Sequence, residues 1–134
     1  MSRNPLGLAP ACLKTISAVE ASPTRSNQHE FNGVKALREM FGSDTFDEVA
    51  NFSIRGQSTC AQVKVTWYNA REAHLTRTEY RLYFQTNMVM AEAQEGDNIL
   101  VGYDNSRKLH IVLIKMGSLE HRPNVLNWEG IVDG

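Results

Sequence analysis

The run Asp97-Asn-Ile-Leu-Val-Gly-Tyr103, followed after a short joint by Lys108-Leu-His-Ile-Val-Leu-Ile-Lys115, decides the fold class of this chain. Both runs are strongly apolar and have the length of strands, and the joint Asp104-Asn-Ser-Arg107 is rich in turn-forming residues. The pattern predicts a β-hairpin.

Alternating or apolar runs elsewhere predict further strands over 11–19, 48–55, 60–70 and 77–84. In the third of these runs, Val63, Val65 and Trp67 are expected to face inward. Helical spacing predicts a short helix over 34–41, which Gly42 ends, and 87–94 is expected to be a short helix or irregular. Many short strands with little helix predict a closed or nearly closed β structure.

The composition fits a single compact domain of 134 residues with ordinary globular proportions and a formal net charge of −1. This charge gives no basic excess, so a nucleic-acid surface would require charges sorted by position. The sequence suggests such sorting: basic residues at Arg25, Lys64, Arg71, Arg77 and Arg81, and acidic residues at Glu92, Glu95, Asp97 and Asp104.

Cys12 and Cys60 lie far apart in the sequence, without metal-ligand spacing. They are interpreted as buried free thiols, which favours a reducing cytoplasm. No apolar run approaches the roughly 20 residues that cross a bilayer, and the N-terminus lacks the long apolar region of a signal peptide. We therefore expect an intracellular protein that is not a membrane protein.

The stretch from Thr66 to Leu82 carries the chemistry, because Arg71, Arg77, Glu79 and Arg81 surround a bend between two strand-like runs. Period-2 alternation places the last three on one face of an extended segment. An arginine fork fits the two major-groove acceptors of guanine, and a glutamate can accept from the amine of cytosine. The face can therefore read G·C pairs, or it can be the salt-bridged surface of a hairpin.

Trp67-Tyr-Asn-Ala-Arg71 followed by Thr76-Arg-Thr-Glu-Tyr-Arg-Leu82 resembles the C-terminal recognition arm in the N-terminal domain of EcoRII-like restriction endonucleases. Leu13-Lys-Thr-Ile-Ser-Ala18, Gly33-Val-Lys-Ala-Leu-Arg-Glu-Met-Phe41 and the hairpin fall in a similar order and spacing. The hairpin also resembles a signature of plant B-three DNA-binding domains, which share that fold. The resemblance implies a mainly β (α+β), B-three-like DNA-binding pseudobarrel of about seven strands with one or two short helices.

The resemblance also implies a function: a non-catalytic effector or specificity domain that reads a CC(A/T)GG-type site in double-stranded DNA through two major-groove arms. One arm would use Arg77, Glu79 and Arg81, with Tyr80 at a position where the family has a basic residue. The other arm falls in 22–31, where the candidates are Arg25, Asn27, Gln28 and His29, while Lys64 and Arg71 would hold phosphates.

The expected organisation is a single domain over 1–134, with a barrel core over about 10–117. Residues 118–134 would be an extension, or the start of a linker to the nuclease domain of the same polypeptide. We expect a monomer in a prokaryotic cytoplasm, with no cofactor and no metal.

Two other classes of function compete with this one. A protein- or sugar-binding β domain would use Trp67, Tyr68, Tyr80 and Tyr83 as a contact patch. A magnesium-dependent nuclease needs an acidic residue followed by an acidic-x-lysine motif, for which Asp47 with Gln62-Val-Lys64 is the nearest approach. His29, His74, His110 and His121 lack zinc spacing, and His110 is expected to be a structural histidine.

Overall fold

In the computed structural model, residues 8–18, 30–33, 35–70 and 79–131 are described. Eight strands form one mixed sheet in the order β2-β5-β4-β3-β7-β6-β1-β8. The elements in chain order are β1 (Ala11–Thr15), β2 (Glu30–Gly33), α1 (Lys35–Phe41), β3 (Phe46–Ile54), β4 (Cys60–Asn69), β5 (Tyr80–Phe84), the 3-10 helix η1 (Met90–Glu92), β6 (Asn98–Tyr103), β7 (Leu109–Ile114) and β8 (Glu129–Ile131).

The sheet curls until its two edge strands approach each other across the core. Phe31 on β2 contacts Trp128, the residue just before β8, edge to face with ring centroids 5.5 Å apart. Because β2 and β8 lie at opposite ends of the strand order, this contact requires a strongly curled sheet. The mainly β pseudobarrel expected from the sequence is confirmed.

The β6–β7 hairpin forms as predicted, with Tyr103 opposite Leu109. Asp104 fixes its turn by accepting hydrogen bonds from the backbone N–H groups of Ser106 and Lys108. The Lys108 hydrogen bond and the His110 side chain hold the pKa of the Asp104 carboxyl below its usual value. His110 Nε2 lies 2.8 Å from Asp104 Oδ2, so this histidine is satisfied within the fold, as expected.

The other sequence predictions are mostly confirmed. The β3–β4 pair is antiparallel, with Val65 and Trp67 fully buried and Val63 partly buried against them. Helix α1 ends where predicted, because Gly42 has φ +84° and donates to the Arg38 carbonyl, which closes the last turn. Parallel pairing of β3 with β7 joins the two antiparallel parts of the sheet.

The core has two layers. The barrel interior contains α1 residues Leu37 and Phe41 with the inward side chains of the sheet. A second cluster covers the outer side of β1, β6 and β7, and includes Leu8, Val125 and Ile131. Since Trp128 is only 6% exposed and β8 pairs with β1, the expected core boundary at 117 is wrong and the barrel continues to Ile131.

A polar network holds this C-terminal segment in place. Asn98, which is 0% exposed, donates to the Arg122 carbonyl (2.8 Å) and accepts from the Arg122 N–H (2.6 Å). The Thr15 N–H donates to the Val125 carbonyl (2.7 Å), and its hydroxyl accepts from the Val125 N–H (2.9 Å). These bonds satisfy buried polar groups that would otherwise oppose folding.

The two thiols have different surroundings, which corrects the expectation that both are buried. Cys12 is buried, and burial, with a smaller contribution from Glu39, raises its pKa to about 11. Cys60 is exposed because it begins β4 on the side of the strand that faces away from the core.

We expect a thiol reagent at pH 8 to modify the folded protein once, at Cys60. Alkylation requires both access and thiolate, and Cys12 has neither. Intact mass after iodoacetamide treatment should show one adduct in buffer and two in denaturant, with Cys60→Ser removing the native adduct. Two adducts in buffer would contradict the burial of Cys12.

Candidate nucleic-acid interface

The outer side of β3, β4 and β5 presents a row of polar side chains, which we call the polar face. Strand alternation turns Trp67 and Leu82 inward, and turns their neighbours Thr66, Tyr68 and Arg81 outward. The same alternation places further side chains on this face: Asp47, Val49, Asn51, Gln62, Lys64 and Tyr83.

Hydrogen bonds between strands organise part of the polar face. Gln62 donates to Asn51 Oδ1 at 2.6 Å, and the Thr66 hydroxyl donates to Asp47 Oδ1 at 2.6 Å. The Lys64 N–H donates to Gln85 Oε1 at 3.0 Å. Sequence reasoning named Lys64 as a DNA-contacting residue, and Asp47 and Gln62 only as the nearest approach to a nuclease motif. It missed Asn51 and Thr66, although the alternation in β3 and β4 marks them as outward-facing.

The base of the β4–β5 pair is anchored to α1. The Trp67 ring stacks on the Tyr80 ring, with centroids 5.2 Å apart. Trp67 Nε1 donates to the Gly42 carbonyl at 3.0 Å, and the Tyr80 hydroxyl donates to the Ser43 carbonyl at 2.9 Å. The outward side chains at this end of β5 therefore sit on a rigid support, which a recognition site needs.

Tyr80 is a core residue, which corrects its inclusion among the DNA-contacting side chains. It is 8% exposed, and Arg38 covers its ring at 4.8 Å from the centroid. The alternation that directs Arg81 outward directs Tyr80 inward. Tyr80 therefore serves packing.

Glu79 and Arg81 form an ion pair on the polar face. Arg81 Nε donates to Glu79 Oε2 at 2.9 Å, and Nη2 donates to the same oxygen. Each side chain retains about a third of its exposure, 36% for Glu79 and 35% for Arg81. The pair orients the guanidinium plane of Arg81.

Lys64 lies exposed on the polar face in the middle of β4, beside Val49 of β3. Among the described residues, no carboxylate lies within ion-pair distance of its ammonium group. A lysine of this kind can bind phosphate as a point charge.

Six of the predicted site residues lie outside the described residues, and their DNA contacts stay predictions. They are Arg25, Asn27, Gln28, His29, Arg71 and Arg77. The described residues that flank these positions show where the two segments are attached to the sheet. The segment 71–78 joins Ala70 to Glu79 at the Gly33 end of β2, and 19–29 leads into Glu30 at the other end of the same strand.

These attachment points lie at opposite ends of the β2–β5 ladder. Gly33 pairs with Tyr80 and Glu30 pairs with Tyr83, a separation of about 10 Å along a strand. The two segments predicted to be arms are therefore attached at the two ends of one short ladder at the edge of the sheet.

Basic and acidic residues are less clearly separated on the described surface than the sequence suggested. On the polar face, Lys64 and Arg81 are matched by Asp47 and Glu79. Of the acidic set, Asp97 is 0% exposed and accepts from Lys115 Nζ at 2.6 Å and from the Met116 N–H at 3.0 Å, so it is structural. The described polar face therefore carries no excess of positive charge.

The competing site predictions fare differently. Trp67 and Tyr80 are buried while Tyr68 and Tyr83 face outward, so the four rings do not form one contact patch. Within the described ranges, no group of three or more His, Cys, Asp or Glu side chains is placed to hold a metal ion.

No helix in the described part of the chain is long and apolar enough to cross a membrane.

Comparison of the chain with protein-family models, with curated proteins and with solved structures found no match.

Proposed function

We propose that this chain is a double-stranded DNA-binding domain, the non-catalytic effector or specificity module of an EcoRII-like restriction endonuclease. The observation that carries the proposal is the Glu79–Arg81 pair, presented outward from a β4–β5 base whose inward side chains are locked to α1. This is a preorganised guanidinium, the group best suited to reading guanine in the major groove.

Three further features support the proposal. The recognition-arm resemblance falls on 67–82, the stretch that surrounds this pair. The two segments with most of the predicted base-reading residues attach at opposite ends of the β2–β5 ladder. The polar face carries hydroxyl, amide and ammonium groups, which suit contacts to phosphate and sugar.

In this proposal, Arg81 reads a guanine and Glu79 orients it or accepts from the paired cytosine. Lys64 and Arg71 hold phosphates. Arg77 reads a second G·C pair, and Arg25, Asn27, Gln28 and His29 contribute from the other segment. The target is a short CC(A/T)GG-type duplex, and the partner in the same polypeptide is a nuclease domain in a prokaryotic cytoplasm.

The experiment that tests the proposal is a gel shift of the full chain on CC(A/T)GG duplex and on a scrambled duplex of equal length, at several salt concentrations. We expect selective binding that weakens steeply with salt, because phosphate contacts release counterions. Incubation with Mg²⁺ should leave the duplex intact. Equal affinity for both duplexes, or none for either, would overturn the proposal.

Lys64→Ala should weaken binding to the specific and scrambled duplexes to a similar extent, because a phosphate contact carries no sequence information. The slope of log K against log salt should fall in magnitude by about one. Lys35→Ala on α1 is the matched control, since this exposed lysine lies on the helix that covers the barrel interior. A Lys64 effect confined to the specific duplex would contradict the phosphate role.

A further inference from the structure

A mostly apolar cavity opens on a different part of the molecule from the polar face, between α1 and the edge strand β8. Its volume is about 500 Å³, within the usual range of ligand-binding sites. The described lining residues include Ala36, Glu39 and Met40 from α1, Cys12 from β1, and Gly130 and Ile131 from β8.

Strand β8 turns its outer backbone edge towards this cavity, and among the described strands it pairs only with β1. The Thr15 N–H donates to the Val125 carbonyl on the β8 side of β1, whereas the Ile16 N–H donates to the Asp97 carbonyl on the β6 side. Backbone groups of successive residues in a strand point to opposite sides, so those of Leu13 and Ala11 point to the same side as those of Thr15. Leu13 and Ala11 are therefore the residues of β1 that hydrogen-bond to Glu129 and Ile131. The N–H and carbonyl of Gly130, between them, point away from β1.

Gly130 also leaves space on the inward side of β8. It is opposite Cys12 in the ladder, so a side chain here would point towards the cavity. A Cβ built at Gly130 would meet no heavy atom within 4 Å. The same residue therefore offers a backbone donor and acceptor and an open apolar space beside them.

The charge at the cavity mouth determines which charge a bound group should carry. Glu39 is exposed and is the one charged side chain among the described lining residues. Its negative potential reaches the cavity floor, where it contributes to raising the pKa of the Cys12 thiol. A cation is favoured there, and an anion is disfavoured.

We propose that β8 and α1 form a docking groove for an extended peptide, which adds as a strand to the free edge at Gly130. Its backbone exchanges hydrogen bonds with Gly130, an apolar side chain fills the cavity over Cys12 and Met40, and a lysine or arginine pairs with Glu39. Strand addition of this kind takes affinity from backbone hydrogen bonds and specificity from the pocket beside the edge. The inference does not rest on the DNA-binding proposal.

The test is a selection of phage-displayed random dodecapeptides on the immobilised full chain, followed by titration of the synthetic consensus peptide. We expect enrichment of sequences that alternate apolar residues with a lysine or arginine and contain no proline. Tryptophan fluorescence reports binding, because Trp128 directly precedes β8, and Trp128→Phe identifies the part of the signal that comes from this residue.

Three variants locate the site. Glu39→Lys should weaken the consensus peptide about five- to tenfold through charge reversal, whereas Glu95→Lys, the same change at an exposed glutamate elsewhere, should have no effect. Gly130→Val fills the cavity from β8 and should abolish binding. If that variant does not fold, Ala36→Leu fills the same space from α1 and should abolish binding instead.

No enrichment over repeated rounds would overturn the proposal. Equal weakening by Glu39→Lys and Glu95→Lys would do the same, because it would indicate binding by general charge. Undiminished binding to a folded cavity-filling variant would place the peptide elsewhere and also overturn it.

Discussion

Replacing Trp128 with alanine should lower the free energy of unfolding by about 3–5 kcal/mol, the usual cost of removing a buried tryptophan. The side chain is 6% exposed and packs edge to face on Phe31. Its loss would open a cavity where the two edges of the sheet approach each other. Urea unfolding monitored by far-ultraviolet circular dichroism measures the change.

Two substitutions serve as controls for Trp128→Ala. Leu126→Ala, two residues away and 75% exposed, should change stability by no more than about 0.5 kcal/mol. Trp128→Phe should cost less than Trp128→Ala, because phenylalanine keeps the ring packing and the buried indole N–H has no hydrogen-bond partner among the described residues. A loss below about 1 kcal/mol for Trp128→Ala would mean that the C-terminal segment is not part of the cooperative core.

Arg81→Ala should reduce affinity for the CC(A/T)GG duplex by about 5- to 150-fold, the equivalent of one bidentate base contact worth roughly 1–3 kcal/mol. Affinity for the scrambled duplex should fall much less, because that binding depends on phosphate contacts. Gel shifts at fixed salt compare the two duplexes.

The chain contains a matched control for this substitution. Arg55 pairs with Glu120 at 3.2 Å, with side-chain exposures of 34% and 35% that are close to those of the Arg81–Glu79 pair. Arg55→Ala removes an equivalent charge and ion pair from a different part of the surface. If Arg55→Ala weakens DNA binding as much as Arg81→Ala, Arg81 acts only through net charge and does not read a base.

A double-mutant cycle with Glu79→Ala separates two roles for the glutamate. If Glu79 mainly orients Arg81, the double variant should be no worse than Arg81→Ala, because the single losses overlap. If Glu79 accepts from its own cytosine, the losses should add. In both cases, each single variant should lose part of its preference for the CC(A/T)GG duplex over the scrambled duplex. If both single variants keep that preference, Glu79 and Arg81 do not read the DNA.

Local patterns predicted most of the fold because they are decided by near neighbours. The β6–β7 hairpin needs only two apolar runs and a turn, and α1 needs only helical spacing and a glycine stop. The outward position of Cys60 was also available from the alternation, since Val65 and Trp67 face inward and Cys60 has the opposite parity.

The missed features depend on distant partners. Strand β8 has three residues, too few to show a period, and becomes a strand only because β1 offers an edge. Trp128 lies between polar neighbours, Asn127 and Glu129, in a segment without a clear period. It packs on Phe31, which is far away in the sequence. The alternation put Tyr80 and Arg81 on opposite faces, but it did not reveal that the Tyr80 face was the core.

The alternation of β5 gives its inward and outward side chains different roles. Tyr80, Leu82 and Phe84 are committed to packing, whereas Arg81 and Tyr83 are turned away from it. Substitutions in the outward set can accumulate without disturbing the packed set. Selection, natural or in the laboratory, can therefore change what this strand contacts while the barrel stays the same.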